Sequence, residues 1–470
     1  MSKKIINDMI KVCIGNVFIL ISGIATGFIL PKVLGLTNYG YYKVFTLYCS
    51  YISILHFGFV DGIYLLYGDI GNKGMDKEKF IKITSNLFYI EILVSIVCLI
   101  LSITLFSDNY RMVFCFVSLN IVCINCTTYY QVLSQITQNF EELKARNIIK
   151  SILLIFASVI LFIVYLCTRK YISYTIYLLI FTGIGYFLLL WYIITYKNIF
   201  QFQKIKDFFD VRKEVFEICK IGLPLTLSNL FNVIILSVDR QFVNVLFSTD
   251  QFAIYSFAYS LLTIITTIIT SISTVLYPYL KTNLKMMQNN VFEKISLIVV
   301  VLSSLFTLCY YPLYLIIKNM LPDYILGCNV LLIMIPTISL SSIISIVCHN
   351  FYKTLNRSRQ YFDFSVLALV ISIIMNVLFY FLFKTMYAIA IASLITIFIW
   401  LLIVDITLFL GKKRNVFLMI IRYMYIIILN CFFIIFMTKV NIVKYIVYIF
   451  INIIMTFVYY IFYKKNRKEG

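Results

Sequence analysis

Few ionisable residues interrupt the apolar runs of this 470-residue chain, and those few are the candidates for chemistry. Residues 235–247, ILSVDRQFVNVLF, set Asp239 beside Arg240 inside such a run. Neighbours on a helix point about 100° apart, so the two side chains meet different surroundings and do not pair. Arg240 either offers a guanidinium fork to phosphate or sugar hydroxyls or snorkels to the headgroups. Asp239 either holds another helix, carries a proton or anchors a helix end. Lys43, just over a turn inside the second run, is the stronger cationic candidate, while Lys32 and Arg111 lie nearer to loops, where snorkelling accounts for them. LFYIEILVSIVCLI places Glu91 mid-run without a local partner. An acid there couples protons or pairs across helices. LHFGFVDGIY adds His56 and Asp61, interleaved with Gly58 and Gly62. A histidine can titrate near neutral pH or sit as a bonded structural residue. The small-x-x-x-small spacing predicts close packing, and Gly23 and Gly27 repeat it on the first run. Lys43, Arg240, Asp239, Lys32 and Arg111 are therefore the candidates for substrate binding, and Glu91, His56 and Asp61 those for ion coupling.

Other chemistry finds little support. Cys123 and Cys126 form a C-x-x-C, but no second pair lies near it and the chain has only two histidines, His56 and His349. On one membrane helix such cysteines are simply neighbours three apart, so no metal and no cofactor is expected. His349 lacks the polar setting that an acyltransferase would need. Net charge is +20, yet the basic residues sit in short loops without a nucleic-acid-binding motif, so no nucleic acid is expected.

The elements that must position these residues are membrane helices. The composition is 62% hydrophobic and 13% charged, far from that of soluble domains. Apolar segments fall at about 9–30, 39–67, 80–106, 111–138, 146–168, 172–196, 216–244, 251–280, 293–317, 324–352, 361–383, 386–410, 416–438 and 441–463, which predicts 14 spans. The first is too long for a cleavable signal and reads as a span. With a cytoplasmic N-terminus, 30 of the 40 Lys and Arg fall on the inner side, alternating loop by loop. Both termini are then cytoplasmic. The longest inner connection, 197–220, alternates aromatic and aliphatic residues with six Lys and Arg, and predicts an amphipathic helix in the headgroup layer. The expected organisation is 1–196, an N-terminal lobe of six spans; 197–220, the amphipathic linker; 221–410, a C-terminal lobe of six; and 411–470, two further spans with a basic tail.

NYGYYKVF at 38–45 and QFAIYSFA at 251–258 occupy matching places in the two halves. Internal repeats of this kind mark transporters, with substrate at the repeat interface. GLPLTLSNLFNVIILSVDRQFVNVLFSTDQFAIYSFAYS (222–260) resembles the middle segment of Wzx-type O-antigen and polysaccharide flippases, with their Gly-x-Pro opening and Asp-Arg near the outer end of the seventh helix. ILPKVLGLTNYGYY (29–42) and NVLFYFLFKTMYAIAIAS (376–393) resemble that family's first external turn and its hairpin between spans 11 and 12. Ala253 stands where the family often has Gly.

The resemblance covers the whole chain. It implies an all-α MATE-like fold of two six-helix lobes related by a pseudo-two-fold, plus two C-terminal helices, in the bacterial inner membrane. It further implies alternating-access movement of undecaprenyl-diphosphate-linked oligosaccharide from the cytoplasmic to the outer leaflet, with the glycan polymerase and chain-length regulator as partners besides membrane lipids. Two other readings stay open: a small-molecule or multidrug exporter of the same fold, and a membrane-embedded enzyme of glycan assembly. Against a polymerase, no external loop exceeds about a dozen residues. The 37 Tyr and 42 Phe are expected mostly at lipid-facing or interfacial positions.

Overall fold

The computed structural model describes residues 3–68, 77–197, 211–282, 289–355, 357–408 and 416–466. Within them every regular element is helical. A backbone in hydrocarbon must satisfy its own hydrogen bonds, and with no closed barrel to do so, helices are the solution. Twelve of these helices are long and apolar enough to cross a membrane. One of them, Ile10–His56, holds the first apolar segment and the start of the second, and Thr249–Thr282 covers the eighth. All fourteen predicted segments thus fall on helices, and the protein is a multi-pass membrane protein.

The chain divides into two compact units, Met1–Ser237 and Val238–Gly470. The first begins with α1 (Lys3–Cys49), which bends at Gly35, where φ is 70°. A side chain there would meet both that backbone and the Tyr171 ring, 3.1 Å from a Cβ. A 3-10 turn, Ile52–His56, then breaks the second span; Phe57 (φ 50°) and Gly58 (φ 87°) follow, and α2 (Phe59–Tyr67) completes it. Next come α3 (Lys77–Leu105), α4 (Asp108–Ile136), α5 (Phe140–Thr168), α6 (Tyr174–Thr195) and α7 (Arg212–Ile235). Ser173 caps α6 by accepting from the Thr175 backbone N–H, and Arg169, at φ 55°, closes α5.

The unit boundary lies after α7, at Ser237. The reason is glycine packing. A Cβ on Gly222 of α7 would collide with the Gly58 carbonyl and Gly62 backbone of α2, and one on Gly62 would collide with the Ile218 carbonyl. The two backbones touch, and Thr226 donates a short hydrogen bond to Asp61 across the seam. The predicted spacing thus works at Gly58 and Gly62, but Gly23 and Gly27 face open space, with nothing within 4 Å of a Cβ. Of the predicted amphipathic linker, residues 198–210 lie outside the described residues; 212–220 open α7.

The second unit contains α8 (Val238–Leu246), α9 (Thr249–Thr282), α10 (Asn289–Thr307) and α11 (Tyr310–Met320). A broken span follows: α12 (Gly327–Met334), α13 (Pro336–Ser342), a π-helical stretch at Ile343–Cys348 and α14 (His349–Thr354). Pro336 accounts for the first break, since it has no N–H to give the preceding turn. Then come α15 (Ser358–Phe383), α16 (Met386–Leu408), α17 (Val416–Met437) and α18 (Ile442–Asn466). Outward-facing residues are mostly Ile, Leu, Val and Phe, whereas the largest fully buried side chains include Tyr39, Tyr129, Tyr130, Tyr177 and Tyr192. Much of the tyrosine, expected at lipid-facing or interfacial positions, is internal. Tyr129 pairs its hydroxyl with Thr84 at 2.6 Å, whereas the Tyr130 and Tyr192 hydroxyls have no hydrogen-bond partner among the described residues, and their rings stack on each other.

Candidate functional site

Helices α4, α5 and α6 enclose a cavity of about 190 Å³ within the first unit. Its polar lining includes Asn120, Thr127, Gln131, Arg146, Asn147 and Lys150, and it contains no carboxylate among the described residues. Arg146 is 2% exposed and firmly held. Its guanidinium stacks at 3.7 Å on the Trp191 ring, pairs with Glu142 at 2.8 Å and donates to Thr195 Oγ1 at 2.6 Å. Its Nε and Nη1 have no hydrogen-bond partner among the described residues. Lys150, one turn further along α5, is exposed to the cavity and makes no ion pair or hydrogen bond among them. It stands ten residues into α5, about 15 Å at 1.5 Å per residue. An unpaired ammonium that deep in an apolar helix is costly. Gly185 helps to shape the wall, because a Cβ there would lie 2.6 Å from Cys123 Sγ.

A second polar centre surrounds Glu91. The carboxyl is fully buried on α3. Asn125 Nδ2, on α4, donates to Glu91 Oε2 at 2.8 Å and to the Ile52 carbonyl, in the break of the second span, at 3.4 Å. Glu91 Oε1 and Asn125 Oδ1 are both buried without a partner. His56 ends the same 3-10 turn, buried, its Nδ1 also unpartnered.

In the second unit Asp239 is buried, and both its oxygens are engaged. Oδ1 accepts from the Arg240 backbone N–H at 2.7 Å and Oδ2 from the Tyr255 hydroxyl at 2.7 Å, which ties α8 to α9. Arg240 lays its guanidinium over the Tyr259 ring at 4.0 Å, with Nε unpartnered among the described residues. Elsewhere in this unit Arg422 of α17 binds Glu293 of α10 at 2.7 Å and Asp405 of α16 at 2.5 Å, all buried. Tyr423 donates to Asp405 as well, at 2.8 Å.

Residues 5–284 match the family described as polysaccharide biosynthesis protein. The chain belongs to that family. No curated protein matches the sequence. Among solved structures, the lipid II flippase MurJ in an inward closed conformation is similar over 98% of this chain and 99% of its own, at 14% identity and a TM-score of 0.71. An inward-facing multidrug resistance MATE family transporter of the MOP superfamily is similar over 84% of this chain and 94% of its own, at 12% identity and a TM-score of 0.58. At such identities the likeness establishes the fold: this polysaccharide biosynthesis family member is built as MurJ and the MATE transporters are, which is the transporter-type fold that the sequence led us to expect.

The family match takes in the first unit from residue 5 onward, its cavity included. Of the residues singled out from sequence, Lys43 lies with its ammonium 5.1 and 5.3 Å from the Tyr39 and Tyr42 ring centres, half-buried. Lys32 is half-buried on α1, while Arg111 is exposed and bonds the Phe106 carbonyl at 3.0 Å. Asp61 is taken up by Thr226, and Glu91 and His56 border the same break. None of the eight lines the α4–α6 cavity. Sequence reasoning missed Arg146 and Lys150 because it assigned them to the inner-side basic count. The available signal was their depth: Lys150 belongs to an apolar run and not to the loop before it.

Proposed function

We propose that the protein is a flippase for an undecaprenyl-diphosphate-linked oligosaccharide, an O-antigen or capsule repeat unit. It carries this lipid from the cytoplasmic to the outer leaflet of the bacterial inner membrane by alternating access, coupled to an ion. The observation that carries the reading is the carboxylate-free cavity with Arg146 and an unpaired Lys150. A diphosphate is anionic and a glycan rich in hydroxyls, so neither crosses hydrocarbon unaided. Lysine supplies a mobile point charge and arginine a planar fork, and the surrounding amides and hydroxyls replace water around the sugar. A multidrug exporter for cations would place acids in this position. Lys43 and Arg240, each held against a tyrosine ring in its own unit, serve in this reading as further cationic contacts for the diphosphate or an acidic glycan, as do Lys32 and Arg111. Asp239 accepts from the Arg240 backbone N–H and from Tyr255, and so holds the start of α8 against α9. Glu91, His56 and Asp61 serve ion coupling.

The chain moves its substrate without covalent change, and hands it to the polymerase and chain-length regulator on the far side. Both termini lie in the cytoplasm. Deleting the gene should leave lipid-linked glycan made but stranded on the cytoplasmic leaflet, read by protection of the glycan from external probes. Normal surface glycan in the deletion strain, with no redundant flippase, would reject the function. Export that survives intact in a Lys43→Ala, Arg240→Ala double variant at equal membrane abundance would remove those two residues from it.

A further inference from the structure

The two orphan oxygens beside the break of the second span, Glu91 Oε1 and Asn125 Oδ1, point to one missing hydrogen. Both are acceptors as they stand, both are buried, and their parent groups are already joined by the Asn125 Nδ2 to Glu91 Oε2 bond of 2.8 Å. A carboxylic acid and a primary amide satisfy each other through two such bonds at once. We propose that Glu91 and Asn125 form a single-proton site, in which a proton on Glu91 Oε1 is donated to Asn125 Oδ1 and closes a cyclic acid–amide pair at the break of the second span. Binding adds one proton from water to the carboxylate; release returns it to water and leaves two acceptors facing each other.

The surroundings favour a proton over a metal ion. Glu91 has no ion pair among the described residues, and the oxygens at hand are its own, Asn125 Oδ1 and the Ile52 carbonyl. Hard metal cations need about six or more oxygen ligands. The titratable groups on the elements packed against Glu91 include the Cys126 thiol of α4 and His56 of the break, which interacts in turn with Asp61 of α2. Neither a thiol nor a neutral imidazole compensates a carboxylate in hydrocarbon, where an uncompensated charge is strongly disfavoured.

The site sits where it can move something. Asn125 is also the side chain that reaches the Ile52 carbonyl, and that carbonyl belongs to the 3-10 turn running into the left-handed Phe57 and Gly58. Beyond the turn, α2 is welded to α7 by Gly58, Gly62 and Gly222. Loss of the proton turns Asn125 away from Glu91 and frees the break, with α2 and α7 moving as one piece. This deepens the ion-coupled transport reading and rests on it only for the consequence for export.

Infrared difference spectra of the full-length protein in lipid, taken across steps of pH, test the site without substrate. The expected result is a protonated-carboxyl band that is lost in Glu91→Gln and shifts in Asn125→Leu. Protection of residues 50–58 from hydrogen exchange, corrected for the base-catalysed intrinsic rate, should fall as pH rises in the wild type. It should stay high at every pH in Glu91→Gln, whose amide reproduces the closed pair. If Glu91→Gln fails to accumulate, isotope-labelled glutamate in the wild type and in Asn125→Leu decides by the same band. No Glu91-dependent band, a band unmoved in Asn125→Leu, a band controlled by sodium in place of pH, or exchange that follows pH equally in Glu91→Gln would overturn the proposal. Both readouts are substrate-free, so a failure of export alone would count against the flippase and not against this site.

Discussion

Lys150 and Arg146 share a cavity but divide the work. Lys150 makes no ion pair or hydrogen bond among the described residues, so Lys150→Ala should leave membrane abundance unchanged while weakening the proposed substrate binding. Losing one charge-assisted hydrogen bond costs roughly 1.5–3 kcal/mol, on the order of ten- to a hundredfold in affinity. Binding of a soluble diphosphate-sugar headgroup, measured on purified protein in lipid, checks this; unchanged affinity would remove Lys150 from the site. Arg146 is built into the wall by Trp191, Glu142 and Thr195. Arg146→Lys keeps the charge and loses the stacked plane and the fork. It should therefore lower thermal stability as well as affinity, whereas Lys150→Arg should affect affinity alone.

Between elements, two seams should respond very differently to a single methyl group. Gly222→Ala drives a Cβ into the Gly58 carbonyl, and Gly58→Ala adds a strained φ of 87° to a collision with α7. Overpacking costs typically about 1–3 kcal/mol, so each variant should lower the unfolding temperature in detergent or fail to accumulate. Gly23→Ala and Gly27→Ala meet nothing within 4 Å and should match the wild type. The Glu293–Arg422–Asp405 cluster joins α10, α16 and α17, and so fastens the first of the two C-terminal helices to the rest of the second unit. Removing the guanidinium from a buried cluster deprives both acids of their shared ion pair, a loss of about 3–5 kcal/mol. Arg422→Leu should be among the most destabilising single changes in the second unit, read by thermal unfolding. A Glu293→Gln, Asp405→Asn, Arg422→Leu triple variant should recover much of that loss.

For the molecule as a whole, the alternation of basic loops predicts where each connection lies. Reporter fusions after Lys170, Lys318 and Lys384 should report the outside, and those after Lys206 and Lys285 the cytoplasm. A reversed signal at one site would break the topology there. The helix Thr249–Thr282 is where this test bears hardest, since the eighth apolar segment lies on it and the Lys206 and Lys285 fusions flank that region.

Apolarity is a property of a local stretch, and so is the balance of bases in the loop beside it. For that reason the sequence alone determined that this is a helical membrane protein, roughly where its apolar segments lie, and, through ordered motifs, what family it resembles. Glu91 was recognisable because an acid in the middle of an apolar run is conspicuous without knowing its neighbours. Which way a helix turns its residues is another matter. Helices apolar on every side carry little periodic signal to say which face is internal. Asn125 reaches Glu91 across 34 positions of chain, and Arg422 reaches Glu293 across 129. The tight seam at Gly58 and the open face at Gly23 have the same spacing in sequence. Only the packing of α4, α5 and α6 decided that Arg146 and Lys150 line a cavity and do not merely count as loop charge, because a cavity belongs to three helices at once and to no one of them.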